Sequence, residues 1–170
     1  ELFKALKAAI EFKHSVYIRL TAGSNAKIIN NEDYDFKIGK AIEILPGKDV
    51  AIIGCGNILG NCLTAASALK EKNIDCSVIN MHTIKPIDEE KIKEISENYD
   101  LVVTVEEHNI IGGLGSAVSE VLSGIKSNSK LVRIGVNDFY SQGGSYEYLK
   151  NIYGLSSEKI VETIVSNINK

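Results

Sequence analysis

The sequence predicts an α/β fold: a three-layer α/β/α sandwich over residues 41–170, with a mostly parallel sheet of about five strands and one antiparallel edge strand. Three observations predict it. From Ala41 onward short apolar runs alternate with amphipathic stretches of about ten to fifteen residues, the pattern of strand–helix–strand crossovers. The strand candidates are near-continuously apolar, as strands covered on both faces must be. The 170 residues carry 44% hydrophobic and 24% charged side chains and only two prolines, which is the make-up of a globular domain with a short addition and excludes a disordered tail.

The elements follow in order. Leu2, Phe3, Leu6, Ala9 and Ile10 recur at helical spacing with Lys4 and Lys7 opposite, so residues 1–13 read as an amphipathic helix. Val16 to Leu20 reads as a strand. Residues 21–40 lose periodicity and collect Gly23, Asn25, Asn30, Asn31, Asp33 and Asp35, residues that favour turns, so this stretch reads as a linker. Ala41 to Leu45 is a short strand ended by Pro46-Gly47. The connection that follows is too short for a parallel crossover, so this strand is expected to run antiparallel to its neighbours. Asp49 to Gly54 is the next strand, and a helix on Leu59, Cys62, Leu63, Ala66 and Leu69 stops near Asn73. Cys76 to Met81 is a third strand. Asp88 is an N-cap candidate for the following helix, with Ile87 and Ile92 at the positions of a hydrophobic staple. Leu101 to Glu106 is a strand, Gly112-Gly113-Leu114-Gly115 opens the next helix, and Leu131 to Val136 is the last strand. Helices over Tyr146 to Tyr153 and Ser157 to Asn167 close the chain, the second capped by Ser156 and stapled by Leu155 with Ile160.

Several function classes are excluded early. Lys and Arg number 19 against 22 Asp and Glu, a formal charge of −3, so no basic excess awaits nucleic-acid phosphates. The longest apolar runs fall far below the roughly 18 residues that a membrane-spanning helix needs. Three cysteines at 55, 62 and 76 have no zinc spacing and no framework of disulfides, and the expected compartment is a reducing cytoplasm. Glu1 opens a helical pattern with no capping residue before it, which suggests a piece of a longer chain.

Candidate sites cluster where strands end. Gly54-Cys55-Gly56 with Gly60 has the place and part of the spacing of a dinucleotide-binding turn. The second strand, however, ends in Ile79, Asn80 and Met81 without the acidic residue that binds ribose hydroxyls, so a tight structural turn is the favoured reading. Glu106, Glu107 and His108 precede the Gly112, Gly113 and Gly115 turn. A carboxylate pair beside an imidazole suits acid–base chemistry, but adjacent residues on a strand point to opposite faces and cannot form one dyad unless the strand has already ended. The glycine turn offers N–H groups to an anion or simply allows close helix packing, and interface or packing roles are favoured for the whole cluster. Cys55 and Cys62 read as small buried apolar groups, with no base beside them. No residue is assigned as catalytic or metal-binding.

Taken in order, VYIRL, DVAIIGCGNILGNCLTAASALKEKNIDCSVINMHTIKPID, VVTVEEHNIIGGLGSAVSEVL and FYSQGGSYEYLKNIYGLSSEKIV closely resemble the C-terminal domain of the transketolase family, which includes transketolase, deoxyxylulose phosphate synthase and the β subunits of 2-oxoacid dehydrogenases. The run VEEHNIIGGLGSAV is most similar to bacterial transketolases, including those split into two subunits. The resemblance implies that residues 1–20 end an upstream pyrimidine-binding domain, 21–40 are the linker, and 41–170 are the transketolase C-terminal domain. It implies a parent enzyme using thiamine diphosphate and a divalent metal for ketol transfer between sugar phosphates, with the cofactor held by the missing pyrophosphate- and pyrimidine-binding domains. This chain alone would be inactive and carry no cofactor site. Its role would be to support assembly as a homodimer or split-subunit complex, with Glu106, Glu107, His108, Gly112, Gly113 and Gly115 at the subunit contact. Sugar-phosphate members resemble Arg-Leu-Gly-Arg after VYI; here Arg19 stands in the first arginine's place as a substrate-binding candidate, while Ala22 stands at the second. A free-standing nucleotide-binding regulatory module, or the corresponding domain of deoxyxylulose phosphate synthase, is the alternative.

Overall fold

The computed structural model describes residues 1–20 and 34–168. Ala22 and most of the expected linker lie outside the described residues. Five strands, β1 (Ile42–Leu45), β2 (Val50–Gly54), β3 (Cys76–Asn80), β4 (Leu101–Asn109) and β5 (Lys130–Val136), form one sheet in the order β1-β3-β2-β4-β5. β3, β2, β4 and β5 are parallel, and β1 runs antiparallel on β3 at the edge.

The antiparallel edge strand is the one expected, and its neighbour is β3 rather than β2, the strand that follows it in the chain. The turn after β1 crosses the start of β3 so closely that a side chain at Gly47 would overlap the Cys76–Ser77 backbone. There Tyr99 donates its hydroxyl to the Gly47 carbonyl at 2.7 Å, and the Lys48 and Asp49 amides donate to the Asp75 carbonyl. The chain thus enters β2 inside β3, and β1 is left on the outer side.

Strand parity divides the core into two layers. Val50, Ile52, Val78, Val103 and Val105 face helix α2 (Leu59–Lys70), through Cys62, Ala65 and Leu69, and helix α6 (Ser157–Ile168), through Ile160 and Ile164. The alternate residues Ala51, Ile53, Ile79 and Val102 face α3 (Glu89–Asn98), through Ile92 and Ile95, and α4 (Leu114–Ser123), through Leu114 and Val118. With helices on both faces, no strand position of β2 or β3 is left in solvent, which is why their sequences read as unbroken apolar runs. The helix signals act as read: the Asp88 carboxylate accepts the Lys91 amide at 3.1 Å and also the Ala41 amide at 2.8 Å, and Leu155 and Ile160 are buried together.

Two parts stand outside this core. Helix α1 (Leu2–Glu11) buries no residue, and Phe3 and Ile10 are 87% and 85% exposed. The expected strand Val16 to Leu20 is not formed; residues 15–20 have no regular structure. An apolar run becomes a strand only by pairing, and no strand among the described residues lies beside it. Helix α5 (Tyr146–Ile152) likewise buries no residue, although the Ser145 hydroxyl caps it by accepting the Tyr148 amide at 3.3 Å.

Candidate functional site

The order of the parallel strands places a topological switch between β2 and β4: the chain leaves β2 toward β3 on one side and later enters β4 on the other. Ligands of doubly wound sheets sit outside the carboxyl ends of such a pair. At this position lie the Gly54–Gly56 turn, which leads into a 3-10 turn at Gly56–Ile58, and the Glu106–His108 cluster at the end of β4.

β4 continues to Asn109, so adjacent side chains of the cluster diverge. Glu106 shares the α4 face with Val102 and Thr104. It is 2% exposed, and its two oxygens accept the first amides of α4, Leu114 at 2.7 Å and Gly115 at 2.8 Å. The backbone amides at a helix start lack intrahelical partners and carry the positive end of the dipole, and a strand carboxylate fills that need here. Two positions without a Cβ make room for it: a side chain at Gly113 would overlap the carboxylate, and one at Gly135 would come within 3.1 Å of Glu106 Cγ. A side chain at Gly115 would instead come within 2.8 Å of Thr104 Oγ1 and the Arg133 side chain. The Thr104 hydroxyl is fully buried and has no hydrogen-bond partner among the described residues.

Glu107 points the other way and accepts the Tyr146 hydroxyl of α5. Burial, then this bond and the Glu107 charge, push the Tyr146 phenol above its ordinary value, against a smaller opposing contribution from Asn57. Tyr146 therefore spans from the 3-10 turn after β2 to the end of β4. His108 is exposed. The turn that follows is stapled by its own polar groups: the Ile111 amide donates to Asn109 Oδ1 at 2.8 Å, the Gly112 amide to Ser116 Oγ at 2.9 Å, and Ser116 Oγ to the Ile110 carbonyl at 3.1 Å. Gly112 has a φ of 76°, the left-handed region that glycine adopts without strain.

Cys55 is partly buried beside this cluster. Burial pushes its thiol up to about 12, the carboxylates of Glu106, Glu107 and Glu1 act in the same direction, and Arg19 opposes them. Arg19 itself is exposed. Nearby the Asn80 side-chain amide donates to Glu1, and His82 stacks on Phe36 with ring centroids 4.1 Å apart, where burial lowers its pKa. Among the described residues no three His, Cys, Asp or Glu side chains converge to hold a metal ion.

The structure thus gathers Glu106, Glu107, His108, Gly112, Gly113 and Gly115 around one strand-to-helix turn. Tyr146, Asn57, Thr104 and Gly135 also belong here and were not singled out from sequence. Two signals point to them: Thr104 and Glu106 share a strand face by parity, and a glycine inside a strand, Gly135, marks a close approach.

Comparison with known proteins assigns the fold. Residues 39–160 match the family described as the C-terminal domain of transketolase. The chain is 41% identical over 166 residues to a putative transketolase C-terminal section of Methanocaldococcus jannaschii, covering 97% of this chain and 52% of that one. It is 36% identical over 169 residues to one of the subunits of the apulose-4-phosphate transketolase of Phocaeicola vulgatus, covering 98% and 53%. A solved split-gene transketolase, described as an inactive beta4 tetramer, superposes with a TM-score of 0.90 at 36% identity, covering 98% of this chain and 54% of that one. The chain therefore spans about half the length of these relatives. It belongs to the transketolase C-terminal domain family.

Proposed function

We propose that this chain is the C-terminal section of a thiamine-diphosphate-dependent transketolase-like enzyme that moves ketol units between sugar phosphates, and that it serves assembly of that enzyme in the cytoplasm. The observation that carries this reading is the exposed apolar face of α1 and the segment after it: Phe3, Ile10, Tyr17 and Leu20 are all more than half exposed. A helix of this amphipathicity is stable where its apolar face is covered. The split-gene relative superposes over nearly the whole chain, which supports residues 1–20 being the end of a pyrimidine-binding domain, 21–40 a linker, and 41–170 the third domain.

The residues of this chain do not fit the cofactor. At the switch point the start of α4, where a diphosphate would find free amides, is filled by Glu106. The described residues also bring no carboxylate and imidazole cluster together for a divalent metal. Thiamine diphosphate would supply a carbanion-stabilising centre in the parent enzyme, and this chain would contribute Arg19 toward a substrate phosphate and the 106–115 edge toward a neighbouring subunit. Because the Glu106 carboxylate faces α4, the side chains available for that contact are Glu107 and His108, with the backbone of the Gly112, Gly113 and Gly115 turn beside them. The assembly we propose is a homodimer or its split-subunit equivalent, in which each contact occurs twice.

The test is reconstitution. The purified chain with sugar phosphates, thiamine diphosphate and magnesium is expected to give no turnover, and adding the section encoded upstream is expected to restore it. Turnover by the chain alone would overturn the reading. Replacing Glu107 and His108 together with alanine is expected to weaken association in sedimentation experiments. If the variant sediments as the wild type does but turnover is lost, these residues belong to the active site instead. Ala22 stands where sugar-phosphate members carry a second arginine, and an arginine fork recognises phosphate in a way that alanine cannot. Ala22→Arg is therefore expected to lower KM for a phosphorylated acceptor in the reconstituted enzyme.

A further inference from the structure

We propose that Glu106 is a built-in occupant of the anion-binding position at the start of α4, so that this helix start is closed to phosphate and other outside anions in the native chain and becomes a receptor for small carboxylates once that side chain is removed. The inference does not depend on the transketolase reading. It rests on three features that a ligand site of this class needs and that here all converge on a side chain of the chain itself.

The first is position. The crevice between the carboxyl ends of β2 and β4 is where doubly wound sheets take their ligands, and α4 begins there. The second is donor geometry. The Leu114 and Gly115 amides point to one carboxylate, each giving 2.7–2.8 Å to a different oxygen, the arrangement in which helix starts bind free carboxylates and phosphates. The third is the shape of the wall. Gly113 comes from the helix start and Gly135 from the neighbouring strand β5; a Cβ at Gly113 would overlap the carboxylate, and one at Gly135 would come within 3.1 Å of Glu106 Cγ. Bare backbone at these two positions is what leaves room for a carboxylate here.

An independent observation marks the same place as polar beyond what Glu106 uses. The Thr104 hydroxyl is fully buried, has no hydrogen-bond partner among the described residues, and stands 2.8 Å from where a Gly115 Cβ would be. An unpaired buried hydroxyl is costly. It lies against the residue that gives one of the two amides, on the strand face it shares with Glu106. The position is the size of the group that fills it, so formate or acetate needs only the volume that the Glu106 side chain leaves.

The experiment uses the 170-residue chain as wild type, Glu106→Ala and Glu106→Gln, with amide signals of Leu114 and Gly115 followed by NMR and melting temperature followed by circular dichroism. Formate, acetate, neutral acetamide, inorganic phosphate and ADP are titrated at constant ionic strength. In wild type none of them should move the Leu114 and Gly115 signals. Glu106→Ala should melt lower than wild type. Formate and acetate should then raise its melting temperature with the logarithmic dependence of a bound ligand, shift both amides saturably, and leave wild type unchanged, while acetamide does nothing. Should Glu106→Ala fail to fold in chloride, folding rescued by formate and not by acetamide supports the proposal, and no rescue overturns it. Glu106→Gln, which keeps the volume and presents an amide to one N–H, should melt lower but show no response to formate because the cradle is still full. Formate acting equally on wild type and Glu106→Ala, or phosphate or ADP moving the two amides in wild type, would overturn it.

Discussion

Residues 2–20 and residues 41–168 are both written in apolar residues at regular periods, yet they end in opposite environments. In the second region the buried strand positions meet helices of the same chain, and at the carboxyl edge the Glu106 carboxylate is matched inside it by the Leu114 and Gly115 amides. In the first, no residue of α1 is fully buried, Val16, Tyr17 and Leu20 are exposed, and no strand among the described residues pairs with them. The difference teaches that amphipathicity specifies a face to be covered and is silent about what covers it. In the α/β region the sequence also contains the cover.

The comparison breaks most readily in the core. Ile52 is fully buried between α2 and α6 at the centre of the sheet, and Ile52→Ala is expected to cost about 2–5 kcal/mol in chemical denaturation. The same truncation at the exposed Ile10 should leave the chain's stability almost unchanged. A large loss at Ile10 would mean that α1 is part of the domain's cooperative unit after all.

A smaller effect is expected at the carboxyl edge. Gly113→Ala places a methyl group against a carboxylate held by two amides, so the side chain cannot swing away without leaving both unpaired. The expected cost is about 1–3 kcal/mol. Gly143, where an added Cβ would meet nothing within 4 Å, is the control: Gly143→Ala in the same denaturation series should be close to neutral.

These positions also show what was legible in the sequence. The strand and helix elements of residues 41–168, the cap at Asp88 and the antiparallel sense of β1 rest on local signals, namely periodicity, N-cap chemistry and the length of a turn, and the sequence displays those directly. The pairing of β1 with β3 does not follow from them, because it depends on the Pro46-Gly47 turn passing over Cys76, a contact between residues distant along the chain. The carboxyl-edge cluster was legible as a cluster, and strand parity already separated Glu106 from Glu107. Tyr146 and Gly135 were hidden because they arrive from α5 and β5, and only the sheet order brings them to the end of β4. The strand read over Val16 to Leu20 failed because alternation reports a wish to pair, and pairing needs a neighbour.

A pH effect also separates buried from exposed groups. Burial holds the Cys55 thiol protonated up to about 12, whereas in the unfolded chain a cysteine ionises at about 8.5. Above that lower value the unfolded state binds fewer protons than the native one, so stability falls as pH rises between roughly 8.5 and 12. Cys55→Ala removes this group, and its stability should fall less steeply across that window, by up to about 1.4 kcal/mol per pH unit. Between pH 6 and 8 the two slopes should coincide. Iodoacetamide at pH 8 should likewise modify Cys55 of the native chain far more slowly than it modifies the denatured chain, because little thiolate is present.

The smallest expected effect on stability carries the most about the first region. Phe3→Ser with Ile10→Ser exchanges two side chains that are 87% and 85% exposed, and such surface substitutions usually change stability by no more than about 0.5 kcal/mol. The double variant should therefore melt with the wild type when the chain is alone. If the face exists to be covered by the section encoded upstream, the same variant should bind that section much more weakly, since exposing apolar area that the complex would bury forfeits its main driving force. Measuring both quantities on one variant separates two accounts of why these residues are apolar. Unchanged melting with lost association assigns the face to the partner. Unchanged melting with unchanged association would leave α1 an exposed helix whose pattern has no cover, and the division of the chain near residue 20 would have to be redrawn.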